Sequence, residues 1–197
     1  MNLPNRLFFT GVPGSKWSGI AQYLSKIAQV NNSDQSPSRQ YEHQSYTGHK
    51  GSYFGKGMEF DSDIDDLIYP EGFVDSPFAT KDGMKIIKSH DWAYKLPTIK
   101  RLFPNDWIML VYRSDLQSFA WWHDAGGFNI SYPCYDAYGD SINMLNEIIK
   151  QNEGILEFAY DNNATWSNFT SAWVKEHFNE DIEIKEQWKD ILVTIIM

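Results

Sequence analysis

Three short segments of the chain carry residue types that can bind or activate a charged substrate. They are the stretch Thr10–Ser18, the triplet Lys88-Ser89-His90 and the triplet Arg113-Ser114-Asp115. Each follows a run of apolar residues that is typical of a buried strand. Because ligands of open parallel sheets bind outside the carboxyl ends of the strands, we expect the three segments to share one edge of a sheet. The sequence therefore predicts a single site built from all three.

The first segment has the composition of an anion-binding turn. Between a strand and a helix, the turn Gly11-Val12-Pro13-Gly14 aims several backbone N–H groups at one point, and the helix adds about half a positive charge at its N-terminus. Ser15, Lys16 and Ser18 add side-chain donors, so the turn suits a phosphate. The alternative is an ordinary strand–helix turn with a serine N-cap.

The same segment does not match a Walker A motif, in which four residues separate the first glycine from Gly-Lys-Ser/Thr. Counted from Gly11, Lys16 comes one position early and follows Ser15 rather than a glycine. Trp17 stands where that motif would place its magnesium-binding hydroxyl. A phosphotransferase or nucleoside triphosphatase is therefore an alternative and not the favoured class.

The other two segments supply a base and two cations. His90 is a candidate general base because histidine titrates near neutral pH, and Lys88 stands two residues before it. Arg113 ends an apolar strand, so its planar charged group emerges at the sheet edge, where it suits a second phosphate. The alternatives are a hydrogen-bonded core histidine and a structural ion pair between the arginine and a carboxylate.

The elements that position these residues alternate between strand and helix, which predicts a three-layer α/β domain with a central parallel sheet flanked by helices. Apolar Ile191–Met197 fits an edge strand, a helix on the sheet or a contact with a second subunit. The predicted strands are Arg6–Thr10, Met84–His90, Asp106–Arg113 and Ile155–Tyr160, and the predicted helices begin near Lys16 and cover Tyr94–Phe103, Asp115–His123, Tyr138–Gln151 and Ala164–Phe178.

A loop-rich insertion at about 31–83 interrupts the alternation in what we expect to be one domain, 1–197. Residues 31–57 are polar and rich in turn-forming residues, so they form either a functional loop or a disordered one. The acidic run Asp61–Asp66 indicates a solvated helix start, with a metal site as the alternative. The aromatic and histidine side chains of this segment favour a functional loop that covers a bound ligand. They are His43, Tyr46, His49, Tyr53 and Phe54.

Composition excludes several classes of protein. Of the 197 residues 42% are apolar, which excludes an intrinsically disordered chain, and the single cysteine, Cys134, excludes a disulfide scaffold. A net charge of −9 argues against a nucleic-acid partner. No apolar run approaches the roughly 20 residues that span a bilayer, and the N-terminus lacks a secretory apolar region. We therefore expect a cytoplasmic protein.

At this point the motifs resemble those of the sulfotransferases that use 3′-phosphoadenosine 5′-phosphosulfate (PAPS). Pro13–Ser18 is similar in place to the Pro-Lys/Arg-Ser-Gly-Thr-Thr motif of that family, and Lys88-Ser89-His90 to its Lys-Thr-His. A strand ending in arginine follows an aromatic-Pro turn, here Phe103-Pro104 before Arg113. Tyr160-Asp161 looks like the Tyr-Glu pair at the end of a later family strand. The likeness covers residues 6–30 and 84–178.

The chain also departs from the family pattern. Gly14 stands where the family has its basic residue, and Lys16 stands where the family has glycine. The serine eight residues after the arginine is absent, and Ser118 could substitute for it from the previous turn. The glycine-rich C-terminal segment of cytosolic members has no counterpart.

The resemblance implies a P-loop-like fold and transfer of a sulfuryl group from PAPS to a hydroxyl or amine, with no metal. It gives His90 the role of general base, and Lys16 and Lys88 the stabilisation of the leaving oxygen. It implies that the nucleotide is bound by Gly14, Ser15, Lys16, Trp17, Ser18, Arg113 and Ser118. The expected partners are a small-molecule or carbohydrate acceptor and a second copy of the chain through the apolar C-terminus. A non-catalytic relative that binds a partner is a further alternative.

Overall fold

The computed structural model describes residues 3–41, 50–129, 135–185 and 188–197. The strands are β1 (Arg6–Gly11), β2 (Val30–Asn31), β3 (Met84–Lys88), β4 (Trp107–Arg113), β5 (Ser167–Asn168) and β6 (Ile191–Ile196). The α-helices are α1 (Trp17–Leu24), α2 (Pro70–Asp75), α3 (Leu96–Leu102), α4 (Asp115–Asp124), α5 (Ser141–Asp161) and α6 (Ser171–Phe178). No helix among these residues is both long and apolar enough to cross a bilayer.

The strands form one mixed sheet in the order β2-β3-β1-β4-β6-β5. The four strands β1 to β4 run parallel to one another, whereas β6 is antiparallel to both of its neighbours, β4 and β5. The prediction of a wholly parallel sheet is therefore wrong at this side. The described residues between α6 and β6 form no further α-helix, and β6 enters beside Arg113 and runs in the opposite direction to β4.

Strand β6 is the apolar C-terminal segment, and its position inside the sheet explains why its residues are apolar. It lies between β4 and the two-residue strand β5, with Ile191 paired to Arg113 and Ile196 paired to Ile108. The side chains of Ile191 and Val193 are fully buried in the chain itself. This segment is thus an internal strand and not the edge strand or helix considered from sequence.

Helices cover both faces of the sheet, as a three-layer α/β domain requires. Phe8 packs on one face with Ile99 of α3 and Ile148 of α5, while Leu7 and Phe9 pack on the other face with residues of α1 and α6. The alternation follows from the two-residue period of a strand. The expectation of an α/β domain with helices on both sides of the sheet is confirmed.

The predicted strand Ile155–Tyr160 is wrong, because these residues belong to the long helix α5. Their buried side chains continue the helical spacing set by Ile148. Gly154 does not break the helix; a Cβ there would lie 2.8 Å from the Ala93 carbonyl oxygen, so the glycine allows a close approach. Tyr160 is 84% exposed on a helix, which removes the likeness of Tyr160-Asp161 to a pair at a strand end.

The predicted helix Ala164–Phe178 is too long at its start. Residues Ser167–Asn168 form β5, and the helix begins only at Ser171. The Thr170 hydroxyl caps it by accepting a hydrogen bond from the Trp173 backbone N–H.

The described residues of the insertion at 31–83 form short elements, and some of them contribute to the core. Tyr53 and Phe54 are fully buried and pack in the protein interior rather than facing a ligand. The segment around Asp61–Asp66 is a solvated 3₁₀ helix at Ile64–Asp66. Lys95 lies within 2.8 Å of Asp63 and 2.7 Å of Asp65. His43, Tyr46 and His49 lie outside the described residues.

A charged cluster ties β1 to α2 and β3. Arg6 donates to both carboxylate oxygens of Asp75, at 2.9 and 2.8 Å, and to Asp106 at 2.9 Å. Lys85 lies 3.0 Å from Asp75. Burial alone would raise the pKa of Asp75, but the hydrogen bonds from Arg6 and Lys85 outweigh burial and hold this pKa below its usual range.

The cluster predicts a specific loss of stability in acid. Because the folded state lowers the pKa of Asp75, its ionised form stabilises the fold above the unfolded pKa, and this contribution is lost as pH falls through the folded pKa. We expect the difference in unfolding free energy between the wild type and Asp75→Asn to narrow between pH 6 and pH 3. Urea denaturation at several pH values measures it, and a pH-independent difference would contradict the assignment.

Candidate functional site

The sheet order brings the three chemistry-bearing segments together. Strand β1 lies between β3 and β4, and because all three are parallel their carboxyl ends meet at one edge. The His90 ring nitrogen Nδ1 bonds the Gly11 carbonyl oxygen from one side. Arg113 Nη1 donates to the Gly14 carbonyl oxygen at 3.1 Å from the other side. The turn after β1 is thus held between His90 and Arg113.

The turn itself is closely packed. The Ser15 backbone N–H and hydroxyl both donate to the Val12 carbonyl oxygen, at 3.0 and 2.7 Å, and Ser15 is fully buried. Gly14 has a φ of +79°, and a Cβ at this position would overlap the Ser118 carbonyl oxygen of α4. Only glycine therefore allows the turn to approach α4 in this way.

Lys16 connects the turn to α4. It has a φ of 62° and is the N-cap residue of α1, and its ammonium lies 4.2 Å from the centre of the Trp121 ring. This distance is that of a cation–π contact. Trp17 and Ser18 follow as buried residues of the first helical turn. The N–H groups of a first turn have no acceptor within their own helix, so this end carries a partial positive charge.

His90 is enclosed rather than presented to solvent, with only 6% of its surface exposed. A carbonyl oxygen can only accept, so Nδ1 carries the proton that is donated to Gly11. Nε2 then accepts from the Trp17 indole N–H at 3.1 Å. Trp17 was predicted to bind nucleotide, and its pairing with His90 was not predicted. In this state the histidine is neutral and its basic nitrogen already accepts a hydrogen bond.

Two tyrosine hydroxyl groups contact His90 and Asp91. The Tyr53 hydroxyl accepts from the His90 backbone N–H at 3.1 Å, and the Tyr135 hydroxyl lies close to the Tyr53 ring, beside Gly55. Tyr135 in turn donates to Asp91 at 2.7 Å. Burial raises the pKa of the Asp91 carboxyl, although the hydrogen bond from Tyr135 opposes this. The sequence offered no signal for this arrangement, since its members come from distant segments.

Lys88 belongs to a buried polar cluster with the insertion. Its ammonium donates to the Lys50 carbonyl oxygen at 3.0 Å and lies 3.7 Å from the Asp34 carboxylate. Asp34 also accepts from the Ser52 N–H and hydroxyl, at 2.7 and 2.9 Å. Burial lowers the pKa of Lys88, and the Asp34 charge opposes this without cancelling it. A cavity of about 50 Å³ lies beside the cluster and reaches Ser18 of α1.

Arg113 is held by a carboxylate. Its Nε and Nη2 lie 2.7 and 2.6 Å from a single oxygen of Asp190, just before β6. The Arg113 carbonyl oxygen accepts from the Ser118 hydroxyl at 3.2 Å and from Asn152 at 2.9 Å. Ser118 therefore fixes the end of β4, where the sequence suggested a phosphate ligand. Asp190 and Asn152 were not identified from sequence.

Two larger cavities lie near this edge. One of about 250 Å³ is lined by Asp91, Trp92 and Lys95, and Asp91 directly follows His90 in the sequence. The other, of about 410 Å³, is lined by Phe169 and by Trp188 and Lys189, which precede Asp190. Small-molecule sites begin at about 300 Å³, so the second cavity lies within their range and the first lies just below it. Among the described residues, no group of three or more His, Cys, Asp or Glu side chains is arranged to hold a metal ion.

Comparison of this chain with protein-family models, with curated proteins and with solved structures gives no match. The geometry alone defines the site as a tight strand–helix turn between a buried histidine and a paired arginine. A turn of this kind, with a helix N-terminus behind it, can bind an anion.

Proposed function

We propose that the chain is a sulfotransferase of P-loop-like fold that acts in the cytoplasm and transfers a sulfuryl group from PAPS to a hydroxyl or amine. The main support is the turn after β1, which Arg113 and His90 contact from opposite sides. These segments are the ones whose order and types resemble the sulfotransferase motifs. The acceptor in this proposal is a small molecule or a carbohydrate.

In this proposal the residues at the sheet edge act mainly by positioning and electrostatics. The turn 14–18 and the N-terminus of α1 bind the 5′-phosphosulfate, and Lys16 stabilises charge on the leaving oxygen. Arg113 binds the 3′-phosphate. Lys88 supports this edge from its buried pair with Asp34 and takes no part in the transfer. As the acceptor oxygen bonds to sulfur, the bridging S–O bond breaks and the acceptor proton goes to His90.

His90 can accept that proton only at Nε2, because Nδ1 is bound to the Gly11 carbonyl oxygen. The acceptor hydroxyl must therefore replace the Trp17 indole as the donor to Nε2. The proposal thus requires Trp17 to move away from His90 when the acceptor binds.

We expect His90→Ala to retain nucleotide binding and to lose at least tenfold in turnover, since a positioned general base contributes about 10²–10⁴ in rate. His123→Ala is the matched control, because His123 has a side chain that is 68% exposed and lies beside Asp124. Sulfuryl transfer to a panel of alcohols, phenols and sugars measures both. Equal turnover in His90→Ala and the wild type would remove His90 from the mechanism.

Thermal denaturation with adenosine 3′,5′-bisphosphate, and separately with ATP and magnesium, tests the class of protein. Ligand at about 100 times Kd adds roughly 2.7 kcal/mol, or a melting shift of about 5–10 °C for this size. We expect the bisphosphate to raise the melting temperature and ATP with magnesium to leave it unchanged. The rise with the bisphosphate should be smaller in Arg113→Ala. Loss of Arg113 should weaken the bisphosphate far more than the 5′-monophosphate. A shift with ATP alone would identify a phosphotransferase instead.

A non-catalytic binding protein is the second candidate, and one observation favours it. Both ring nitrogens of His90 and all three nitrogens of the Arg113 guanidinium have partners within the protein. A side chain satisfied in this way can serve the fold alone. Absence of a melting shift with both nucleotides would support this candidate.

A further inference from the structure

The partner of Arg113 occupies the place that an anionic ligand would take. Two guanidinium nitrogens, Nε and Nη2, point at one carboxylate oxygen of Asp190, at 2.7 and 2.6 Å. Arginine presents the same pair of donors to a phosphate oxygen. The third nitrogen, Nη1, is used by the Gly14 carbonyl oxygen. A phosphate that approaches Arg113 therefore meets a carboxylate on the face it needs.

The two partners differ in how firmly they are held. The Arg113 side chain is only 11% exposed, and its backbone carbonyl oxygen is fixed by Ser118 and Asn152. The Asp190 side chain is 33% exposed and lies immediately before β6. A ligand can therefore displace the carboxylate toward solvent while the arginine stays in place.

We propose that Asp190 determines nucleotide specificity by competing with the 3′-phosphate for Arg113. This inference rests on the proposed function. A 3′-phosphate gains its contact with Arg113 only by breaking the Asp190 pair, and it then lies beside a second negative charge. The wild type therefore realises only part of the affinity that Arg113 can give to a 3′-phosphate, and it binds adenosine 3′,5′-bisphosphate less tightly than a chain without the Asp190 charge.

The test is calorimetric titration of the wild type and Asp190→Asn with three probes: adenosine 3′,5′-bisphosphate, adenosine 5′-monophosphate and inorganic phosphate. Asparagine keeps the size of the side chain and removes its charge. We expect Asp190→Asn to bind the bisphosphate at least tenfold more tightly than the wild type does. The affinity for the 5′-monophosphate should stay within about twofold, because that ligand does not reach Arg113. Inorganic phosphate should also bind more tightly to the variant.

Asp181→Asn is the matched control. Asp181 pairs with Lys175 at 2.7 Å, and both side chains are exposed, at 84% and 47%. The control removes the same charge from a chain of net charge −9 without touching Arg113. Unchanged affinity for all three probes in the control would show that any gain in Asp190→Asn comes from the vacated arginine.

Equal affinity of folded Asp190→Asn and the wild type for both phosphate and bisphosphate would overturn the inference and make the pair a structural clip between β4 and β6. Tighter phosphate binding without nucleotide binding would support the competition and count against the proposed function. If Asp190→Asn does not fold, Asp190→Ser, which retains a hydrogen-bond acceptor, is titrated with the same probes and judged by the same outcomes.

Discussion

Replacing Asp34 with alanine is expected to destabilise the protein by about 3–5 kcal/mol, because it leaves a buried ammonium without its counterion. Lys88 is only 6% exposed, and its charge lies 3.7 Å from the Asp34 carboxylate. The substitution also removes the acceptor of the Ser52 N–H and hydroxyl. Urea denaturation measures the loss. A loss below about 1 kcal/mol would mean that Lys88 reaches water in the folded protein.

A double variant separates the charge from the packing. In Asp34→Ala/Lys88→Met both charges are removed, so we expect a loss clearly smaller than the sum of the two single losses. The exposed pair Lys175–Asp181 provides the control, since Asp181→Ala should cost about 0.5 kcal/mol or less. Additive losses in the double variant would show that the two charges do not stabilise each other.

The same double variant tests the role of Lys88. The resemblance to sulfotransferases suggested that Lys88 stabilises a leaving oxygen, whereas in the structure its ammonium faces Asp34 and Lys50. If Lys88 is only structural, the double variant retains nucleotide binding and turnover once it is folded. A loss of turnover in a folded double variant would return Lys88 to the mechanism.

The strands that build the candidate site could be predicted because their apolar runs have no other explanation. In β1 and β4 nearly every side chain is buried on one face or the other, so each run is continuous and ends at a polar residue. Parallel pairing then places the ends of these strands at one edge. That edge, with Gly11, His90 and Arg113, follows from the sequence and from the geometry of parallel sheets.

The type of element formed by the end of α5 and the direction of β6 depend on information that is not local. The spacing in α5 is helical through Phe158, yet Ile155–Tyr160 is also a short apolar run of strand-like length. The direction of β6 depends on the side from which the chain returns after α6, which its own residues do not encode. Local patterns therefore identify buried segments more reliably than their direction or type.

Side-chain partners are the least predictable feature of the site. Trp17 and His90 lie 73 positions apart in the sequence, and Arg113 and Asp190 lie 77 apart. Trp17, His90 and Arg113 were recognised from sequence as candidate site residues, but the partner of each decides what its side chain does. A histidine whose nitrogens are both bonded and an arginine already paired have to exchange partners before they can act on a substrate.

Gly14→Ala is expected to destabilise the protein by about 2–5 kcal/mol, which corresponds to a fall in melting temperature of roughly 10 °C. An L-residue at the φ of +79° costs about 1–2 kcal/mol, and overpacking adds about 1–3 kcal/mol. The overpacking arises because the new methyl group would overlap the Ser118 carbonyl oxygen. Thermal and urea denaturation measure the effect.

Gly139→Ala is the matched control for this prediction, because a Cβ at Gly139 meets no atom within 4 Å. The control should change the unfolding free energy by no more than about 0.5 kcal/mol. If Gly14→Ala were as stable as this control, the turn after β1 would not be packed against α4. The turn could then open to admit a ligand, and this opening would break the hydrogen bond from Arg113 Nη1 to the Gly14 carbonyl oxygen. A large loss in Gly14→Ala alone would mean that anion binding at this turn has to proceed with its backbone nearly unchanged.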